Sequence, residues 1–209
     1  MFPGTLSRHA QDTLALLGKQ DFLKISYLAG GSSLALQIGH RRSIDFDFFT
    51  NKEFGSIEIK KKLQLIGKYE VKNETPKTMV GEFNKVKFSL FYYSYQLVDK
   101  TTNFIGINLA SVKDIAAMKL AAITDRGTKK DYIDLYFLAK NKFTFEKMFV
   151  FYDKKYKIFE SNKLTLLKAL QYFEDADGSN MPKMIEKVDW EKIKEFFRHE
   201  TVRLAKKYI

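Results

Sequence analysis

The chain has 209 residues, 45% of them hydrophobic, so it can bury a core as one compact unit or as two small halves. It has no cysteine, which excludes disulfides. It has no apolar run of about 18 residues and no leader-like start, so we predict a cytoplasmic protein without a membrane span. Its 36 basic and 25 acidic residues give a net charge of +11, which favours polyanionic partners such as RNA or DNA, although a solvated lysine-rich surface explains the same excess.

Up to residue 109 the pattern predicts helices mixed with short strands. A helix over 5–24 comes first, and a strand over 25–29 then ends at a Gly-Gly turn. Ser32 or Ser33 is predicted to cap a second helix, which Gly39 ends. The remaining predicted elements of this half are a strand over 43–50, a helix over 56–66 and strands over 69–73, 78–83 and 85–95.

From residue 110 onward the pattern predicts helices only. Capping boxes at Ser111 and Thr128 open two predicted helices that run to Asp125 and Lys140. Three more helices are predicted over 144–156, 162–173 and 189–208, with an exposed turn over 174–182. We therefore predict an α/β core over 1–109, followed by a helical domain over 110–209.

Two aspartates separated by one residue, Asp45 and Asp47, lie on the predicted strand over 43–50. Residues i and i+2 of a strand point to the same face, so the two carboxylates are predicted to project together. The apolar side chains predicted on the other face are Ile44, Phe46 and Phe48. Two adjacent carboxylates repel each other unless a cation neutralises them, and the candidates are Mg²⁺, which prefers oxygen ligands, and Arg41 or Arg42.

The turn before this strand, Gly30-Gly31-Ser32-Ser33, offers backbone N–H groups and a helix N-terminus to an anion. A glycine-rich turn usually serves only to reverse the chain, and a strand with alternating polar residues is usually just half exposed. The glycine turn and the aspartate pair together indicate nucleotide chemistry, because the turn suits a phosphate and the aspartates suit the cation that accompanies it.

A third group of charged residues lies on the first two helices of the second half. Lys119 and Arg126 are seven positions apart and share one helix face, while Asp131 and Asp134 share another. A purely structural account is also available. Asp131 occupies the fourth position of a capping box, Lys119 can extend to solvent, and Asp134 can pair with Lys130.

In this order, the segments over 28–36, 40–49 and 118–135 resemble the AbiEii/AbiGii toxin-type nucleotidyltransferases, a branch of the polymerase-β-like nucleotidyltransferase superfamily. The resemblance implies an α+β protein with the minimal nucleotidyltransferase fold. That fold has a small mixed β-sheet flanked by helices, then a C-terminal helical bundle, with the active site in the cleft between them.

The resemblance also implies roles for individual residues. Asp45 and Asp47 would bind Mg²⁺, Lys119 would meet the triphosphate, and Asp131 would complete the catalytic site. The residues implied to bind the nucleotide are Gly30, Gly31, Ser32, Ser33, Arg42, Lys119 and Arg126. The implied reaction is in-line attack of an acceptor on the α-phosphate of a nucleoside triphosphate. Related proteins are toxins of toxin–antitoxin or abortive-infection systems, and some transfer nucleotides to tRNA ends. The resemblance therefore implies an RNA such as tRNA as the acceptor and an antitoxin as the protein partner.

One position departs from the superfamily pattern. A later strand often supplies a third carboxylate, but the strand over 85–95 offers Ser89 there, and the nearest acids, Glu82 and Asp99, lie outside it. The general base is therefore unassigned, with Asp131 as one candidate. Three other interpretations stay open: an antibiotic-type nucleotidyltransferase, a nucleotide-binding regulatory module with a degenerate site, and a basic globular protein whose aspartates are structural.

Overall fold

The structure is a computed structural model that describes residues 1–157 and 163–209. The chain forms two compact units, Met1–Ser111 and Val112–Ile209, and their boundary lies two residues after the one predicted between residues 109 and 110. That the second unit completes an active-site cleft stays a prediction. Within the described ranges, no helix is both long enough and apolar enough to cross a bilayer.

The first unit combines three α-helices with one mixed sheet. Its elements in chain order are α1 (Arg8–Gly18), β1 (Tyr27–Ala29), α2 (Gly30–Ile38), β2 (Phe46–Thr50), α3 (Ser56–Ile66), β3 (Tyr69–Thr75), β4 (Thr78–Phe83), β5 (Val86–Tyr92), β6 (Thr102–Phe104) and β7 (Ile107–Leu109). The strands form a seven-stranded sheet in the order β3-β4-β5-β2-β1-β7-β6. In it β1 runs antiparallel to β2 and parallel to β7, and β2 runs parallel to β5. The predicted α+β class with a mixed sheet is confirmed.

One face of the sheet belongs to the hydrophobic core of the first unit. The side chains of this core include Leu28, Phe46, Phe48, Phe88 and Leu90 from the strands and Leu14, Leu17 and Leu63 from α1 and α3. Because successive strand residues alternate between faces, Asp47 and Ser89 lie on the opposite face. These two residues are direct neighbours in the register of β2 and β5. The apolar alternation of the strands therefore determines where the polar side chains lie.

The described elements of the second unit are helices. They are α4 (Val112–Asp125), α5 (Lys129–Asn141), α6 (Phe145–Tyr156), α7 (Lys163–Leu170), α8 (Glu174–Asp177) and α9 (Trp190–Tyr208). Tyr132 of α5 is fully buried against the rings of Phe173 and Phe197, and its hydroxyl donates a 2.6 Å hydrogen bond to the carbonyl of Ala169. A buried ion pair of 2.8 Å between Lys155 and Asp114 joins α6 to α4.

The first helix is shorter than predicted. It begins after Ser7, whose side chain accepts a hydrogen bond from the backbone N–H of Ala10, and it ends at Gly18. A Cβ on Gly18 would overlap the carbonyl of Ile105, so this position requires glycine. A 3₁₀ turn over Asp21–Leu23 follows in place of the helix that was predicted to continue to residue 24.

Other differences concern short elements. The strand predicted over 85–95 ends at Tyr92. The sequence pattern does not predict β6 and β7, because three residues are too few to show alternation. The turn predicted over 174–182 contains the short helix α8. The helix predicted over 162–173 begins at Asn162, which lies outside the described residues, and its described part ends at Leu170.

Candidate active site

A sharp corner joins β1 to α2 and brings the chain close to Asp47. Gly30 begins α2 directly after Ala29 and has a φ of +66°, a left-handed conformation that favours glycine. A Cβ at Gly30 would lie 3.2 Å from Oδ2 of Asp47. The register explains this approach, because Asp47 is paired with Ala29. Gly30 therefore serves both the turn and the contact with the aspartate.

Asp45 reaches the same corner through its backbone. The prediction that it lies on the strand is wrong, because β2 begins at Phe46. The hydroxyl of Ser32 donates to the backbone carbonyl of Asp45 and lies 2.9 Å from Oγ of Ser43. A side chain of α2 thus holds this segment to the corner. Ile44 was predicted to be buried with the other apolar residues. It is 62% exposed, because it lies before the strand begins.

The first turn of α2 has the properties of an anion site. The prediction that Ser32 or Ser33 caps the helix is wrong, because the N-cap is Ala29, and no side chain caps the helix. The hydroxyl of Ser33 instead accepts a 3.2 Å hydrogen bond from Nε2 of Gln37. The first N–H groups of a helix have no intrahelical partner and carry partial positive charge, so they suit a phosphate.

A buried arginine lies against the second glycine of the corner. Arg41 is only 2% exposed, and a Cβ on Gly31 would overlap its Nη2 atom. Its Nη1 donates a 3.2 Å hydrogen bond to the backbone carbonyl of Arg42, whose own side chain is exposed. Of the two adjacent arginines, Arg41 rather than Arg42 is therefore the one whose guanidinium packs into the corner.

Among the residues that the structure describes, no third carboxylate joins the two aspartates. The β5 residue beside Asp47 is Ser89, which is buried, and its Oγ makes no hydrogen bond within the described residues. Across 1–157 and 163–209, no three His, Asp or Glu side chains lie close enough together to hold a metal ion. Two half-buried carboxylates remain, which suits a hard cation that takes its other ligands from phosphate and water.

The charged residues predicted on the second unit form a network of their own. Nζ of Lys119 lies 2.8 Å from Oδ1 of Asp131 and 2.6 Å from Oδ2 of Asp134. The hydroxyl of Thr128 donates a 2.6 Å hydrogen bond to Oδ2 of Asp131, and Nε of the mostly exposed Arg126 is 3.5 Å from the same oxygen. Asp134 therefore pairs with Lys119.

Asp131 is ionised at neutral pH although it is 1% exposed. Burial disfavours the charged carboxylate, but the ammonium group of Lys119 and the hydrogen bonds from Lys119 and Thr128 outweigh it. The pKa of Asp131 consequently lies below its ordinary value. The network holds a carboxylate pair and a buried lysine in fixed positions at the start of α5.

A strand–helix corner with glycines, Asp47 on the next strand with Asp45 just before that strand, and a following helical unit are the features of a nucleotidyltransferase fold. A family model described as the nucleotidyl transferase AbiEii toxin of type IV toxin–antitoxin systems matches residues 14–205. The chain therefore belongs to the AbiEii family of nucleotidyltransferase toxins, and the family resemblance seen in the sequence is confirmed.

The chain is also similar to individual proteins. An uncharacterized protein of Aquifex aeolicus (strain VF5), aq_aa25, is 36% identical over 190 residues, which are 88% of this chain and 87% of the relative. A candidate nucleotidyltransferase of H. pylori is 20% identical with a TM-score of 0.61 over 97% of both chains. MenT4, a nucleotidyltransferase toxin of Mycobacterium tuberculosis H37Rv, is 12% identical with a TM-score of 0.52 over 93% of this chain and 87% of its own. The two solved structures share the fold.

Proposed function

We propose that this toxin transfers a nucleoside monophosphate from a nucleoside triphosphate to an RNA acceptor in the cytoplasm, with Mg²⁺ as cofactor. The observation that carries the proposal is the corner itself. There Gly30 leaves room for the carboxylate of Asp47 and Ser32 holds the backbone of Asp45, at a helix N-terminus that no side chain caps.

The donor would bind through its triphosphate. The backbone N–H groups of Gly31, Ser32 and Ser33 would receive phosphate oxygens at the positive end of α2. The hydroxyl of Ser32 is already used by the carbonyl of Asp45, so this side chain would position the aspartate segment while its backbone binds the anion. Arg42 is exposed and would reach the nucleotide only from the rim.

Asp45 and Asp47 would hold the cation, and their carboxylate oxygens have the hardness that Mg²⁺ prefers. When bound, Mg²⁺ would neutralise charge on the phosphates during in-line displacement. The two aspartates would fix the donor so that its α-phosphate faces the attacking hydroxyl. Lys119 and Asp131, with Arg126 near them, are proposed to complete the catalytic set on the basis of the family resemblance.

RNA is the proposed acceptor because of charge. A chain with a net charge of +11 is attracted to a polyanion, and each neutralised phosphate releases counter-ions. A cationic acceptor, such as an aminoglycoside, would be repelled by the same net positive charge. A cognate antitoxin is the proposed protein partner, as expected for a toxin of this family.

Transfer of label to RNA tests the proposal directly. The protein is incubated with each α-³²P-labelled nucleoside triphosphate, Mg²⁺ and total RNA, beside Asp45→Asn and Asp47→Asn variants. We expect label on RNA with the native chain and a loss of at least about 100-fold in both variants. Asp12→Asn, which changes an exposed acid of α1, is the matched control and should keep full activity. Labelled RNA in both site variants would refute the proposed roles of the two aspartates.

A second candidate function rests on Ser89. Without a carboxylate at that position the chain could bind a nucleotide without transferring it, as a regulatory module. The same incubation separates the two candidates. Tight nucleotide binding that needs Asp45 and Asp47, with no label on RNA or on protein, would favour the regulatory module.

A further inference from the structure

The immediate neighbours of Asp47 in the sheet carry no charge. On β1 the paired residue is Ala29, and on β5 it is Ser89, beyond which lies Val80 of β4. The next acid on this face of β4 is Glu82, roughly 10 Å or more away because it is two strands over and one repeat further along. Glu82 already lies 3.7 Å from Nζ of Lys72. The sheet therefore supplies Asp47 as its only carboxylate at this point.

A fixed positive charge lies at the corner beside Gly31. Arg41 is 2% exposed, and its permanently charged guanidinium packs on Gly31, the residue next to Gly30. Asp45, Asp47 and Arg41 together carry one net negative charge before any ligand binds. One divalent cation reverses that sign, and two would leave a strongly positive site before a triphosphate arrives.

The two acids at the start of α5, Asp131 and Asp134, are already paired. Both carboxylate oxygens of Asp131 have partners, Lys119 on one and Thr128 with Arg126 on the other. Asp134 is bound by the same lysine. Freeing either carboxylate for a metal ion would leave a buried lysine without its counter-charge, which is costly.

We propose that the corner binds one divalent cation per chain and that Arg41 supplies the second positive charge that a three-carboxylate site obtains from a second metal ion. This inference rests on the proposed function, since it concerns the same aspartates and the same triphosphate. It explains why Ser89 is compatible with a working site. A neutral residue beside Asp47 removes the third ligand that a second cation needs.

Manganese binding measures the number of cations directly. Mn²⁺ is added to the full chain with a non-hydrolysable nucleoside triphosphate, and bound Mn²⁺ is counted by electron paramagnetic resonance. Binding to an Asp45→Asn/Asp47→Asn double variant is subtracted to remove other sites. We expect one aspartate-dependent ion per chain with the spectrum of an isolated Mn²⁺.

Two Mn²⁺ ions about 4 Å apart show spin coupling. Two aspartate-dependent ions with such coupling would overturn the single-cation inference and leave the proposed function intact. No aspartate-dependent ion would overturn both. The two failures are therefore distinguishable in one titration.

Replacing Ser89 tests the reason for the stoichiometry. Ser89→Asp places a third carboxylate beside Asp47, and we expect a second, spin-coupled Mn²⁺ in this variant but not in Ser89→Ala. A folded Ser89→Asp chain that binds one ion contradicts the inference. If the buried aspartate prevents folding, the stoichiometry of the native chain decides the question alone.

Replacing Arg41 tests its electrostatic role, and the two ligands should respond in opposite directions. In Arg41→Gln the loss of a nearby positive charge should tighten Mn²⁺ binding without nucleotide, on the order of tenfold, and weaken triphosphate binding without metal by a similar factor. Arg41→Lys keeps the charge and should change both constants much less. A purely structural role for Arg41 predicts that both ligands bind more weakly, and that result would overturn the proposal.

Discussion

Gly31 determines whether the guanidinium of Arg41 can occupy its place in the corner. A Cβ at Gly31 would overlap Nη2 of Arg41, so Gly31→Ala must displace either the guanidinium or the first turn of α2. We expect triphosphate binding to weaken about tenfold or more and the chain to lose about 1–3 kcal/mol of stability. Isothermal titration with a non-hydrolysable triphosphate and urea unfolding measure the two effects.

Gly4→Ala is the control for that substitution, because a Cβ at Gly4 would have no atom within 4 Å. It should leave both quantities unchanged within about 0.5 kcal/mol. If Gly31→Ala binds the triphosphate as well as Gly4→Ala does, the close packing of Arg41 on the glycine has no part in donor binding.

The corner arginine could not be identified from strand alternation. Arg41 and Ser43 face the corner and Arg42 and Ile44 are exposed, but all four lie before β2 begins at Phe46. Alternation would also have buried Ile44 on the same side as Phe46, and Ile44 is exposed. The family resemblance instead implied a nucleotide-binding role for Arg42. The close approach of Arg41 to Gly31 depends on three-dimensional packing that no local pattern encodes.

An ion pair between two helices makes the second unit sensitive to acid. Nη1 and Nη2 of Arg203 on α9 lie 2.6 and 3.1 Å from the carboxylate of Glu146 on α6. The hydrogen bonds from Arg203 lower the pKa of Glu146 from 4.5 to about 2. A depressed carboxylate pKa stabilises the folded chain above about pH 4.5, and this contribution is lost as the pH falls toward 2.

Glu146→Gln should therefore destabilise the chain at neutral pH and not in strong acid. Because Arg203 is 46% exposed, water screens the pair, and we expect a loss of about 1 kcal/mol at pH 7. The difference from the native chain should shrink between pH 4.5 and 2, as followed by urea unfolding across that range. Glu186→Gln, a change at an exposed acid, is the control. A difference that stays constant with pH would show that Glu146 acts through packing and not through charge.

Long periodic elements were easier to predict than short or interrupted ones. Helix α3 was predicted at its observed bounds, Ser56–Ile66, because eleven residues show the helical period. Strand β2 was predicted three residues too long, since a side chain of α2, rather than a neighbouring strand, holds the segment before Phe46. Hydrogen bonds of this kind join residues distant in sequence and leave no local signal.

The family assignment depended on the order of several weak motifs along the chain. The glycine turn, the aspartate pair and the Lys119–Asp134 segment are each common in unrelated proteins. Their succession is specific, and the family model extends over residues 14–205. The sequence could not show that Lys119 already pairs with both Asp131 and Asp134, because the pairing needs α4 and α5 packed together. The net charge of the chain, in contrast, follows directly from its composition, and it predicts how acceptor binding should depend on salt.

If the acceptor is RNA held through its backbone, labelling of RNA should fall steeply with salt. A protein that contacts several phosphates loses affinity as a power of the salt concentration. Raising KCl from 50 to 200 mM at fixed free Mg²⁺ should therefore lower the labelling rate at limiting RNA by about tenfold or more. Saturating RNA should restore the rate, because the effect is on acceptor binding. Binding of the triphosphate, measured under the same conditions, should change far less, since its site is a few fixed groups at one corner. An RNA labelling rate that ignores salt would mean that the net charge of +11 does not recruit the acceptor, and would favour a small-molecule substrate.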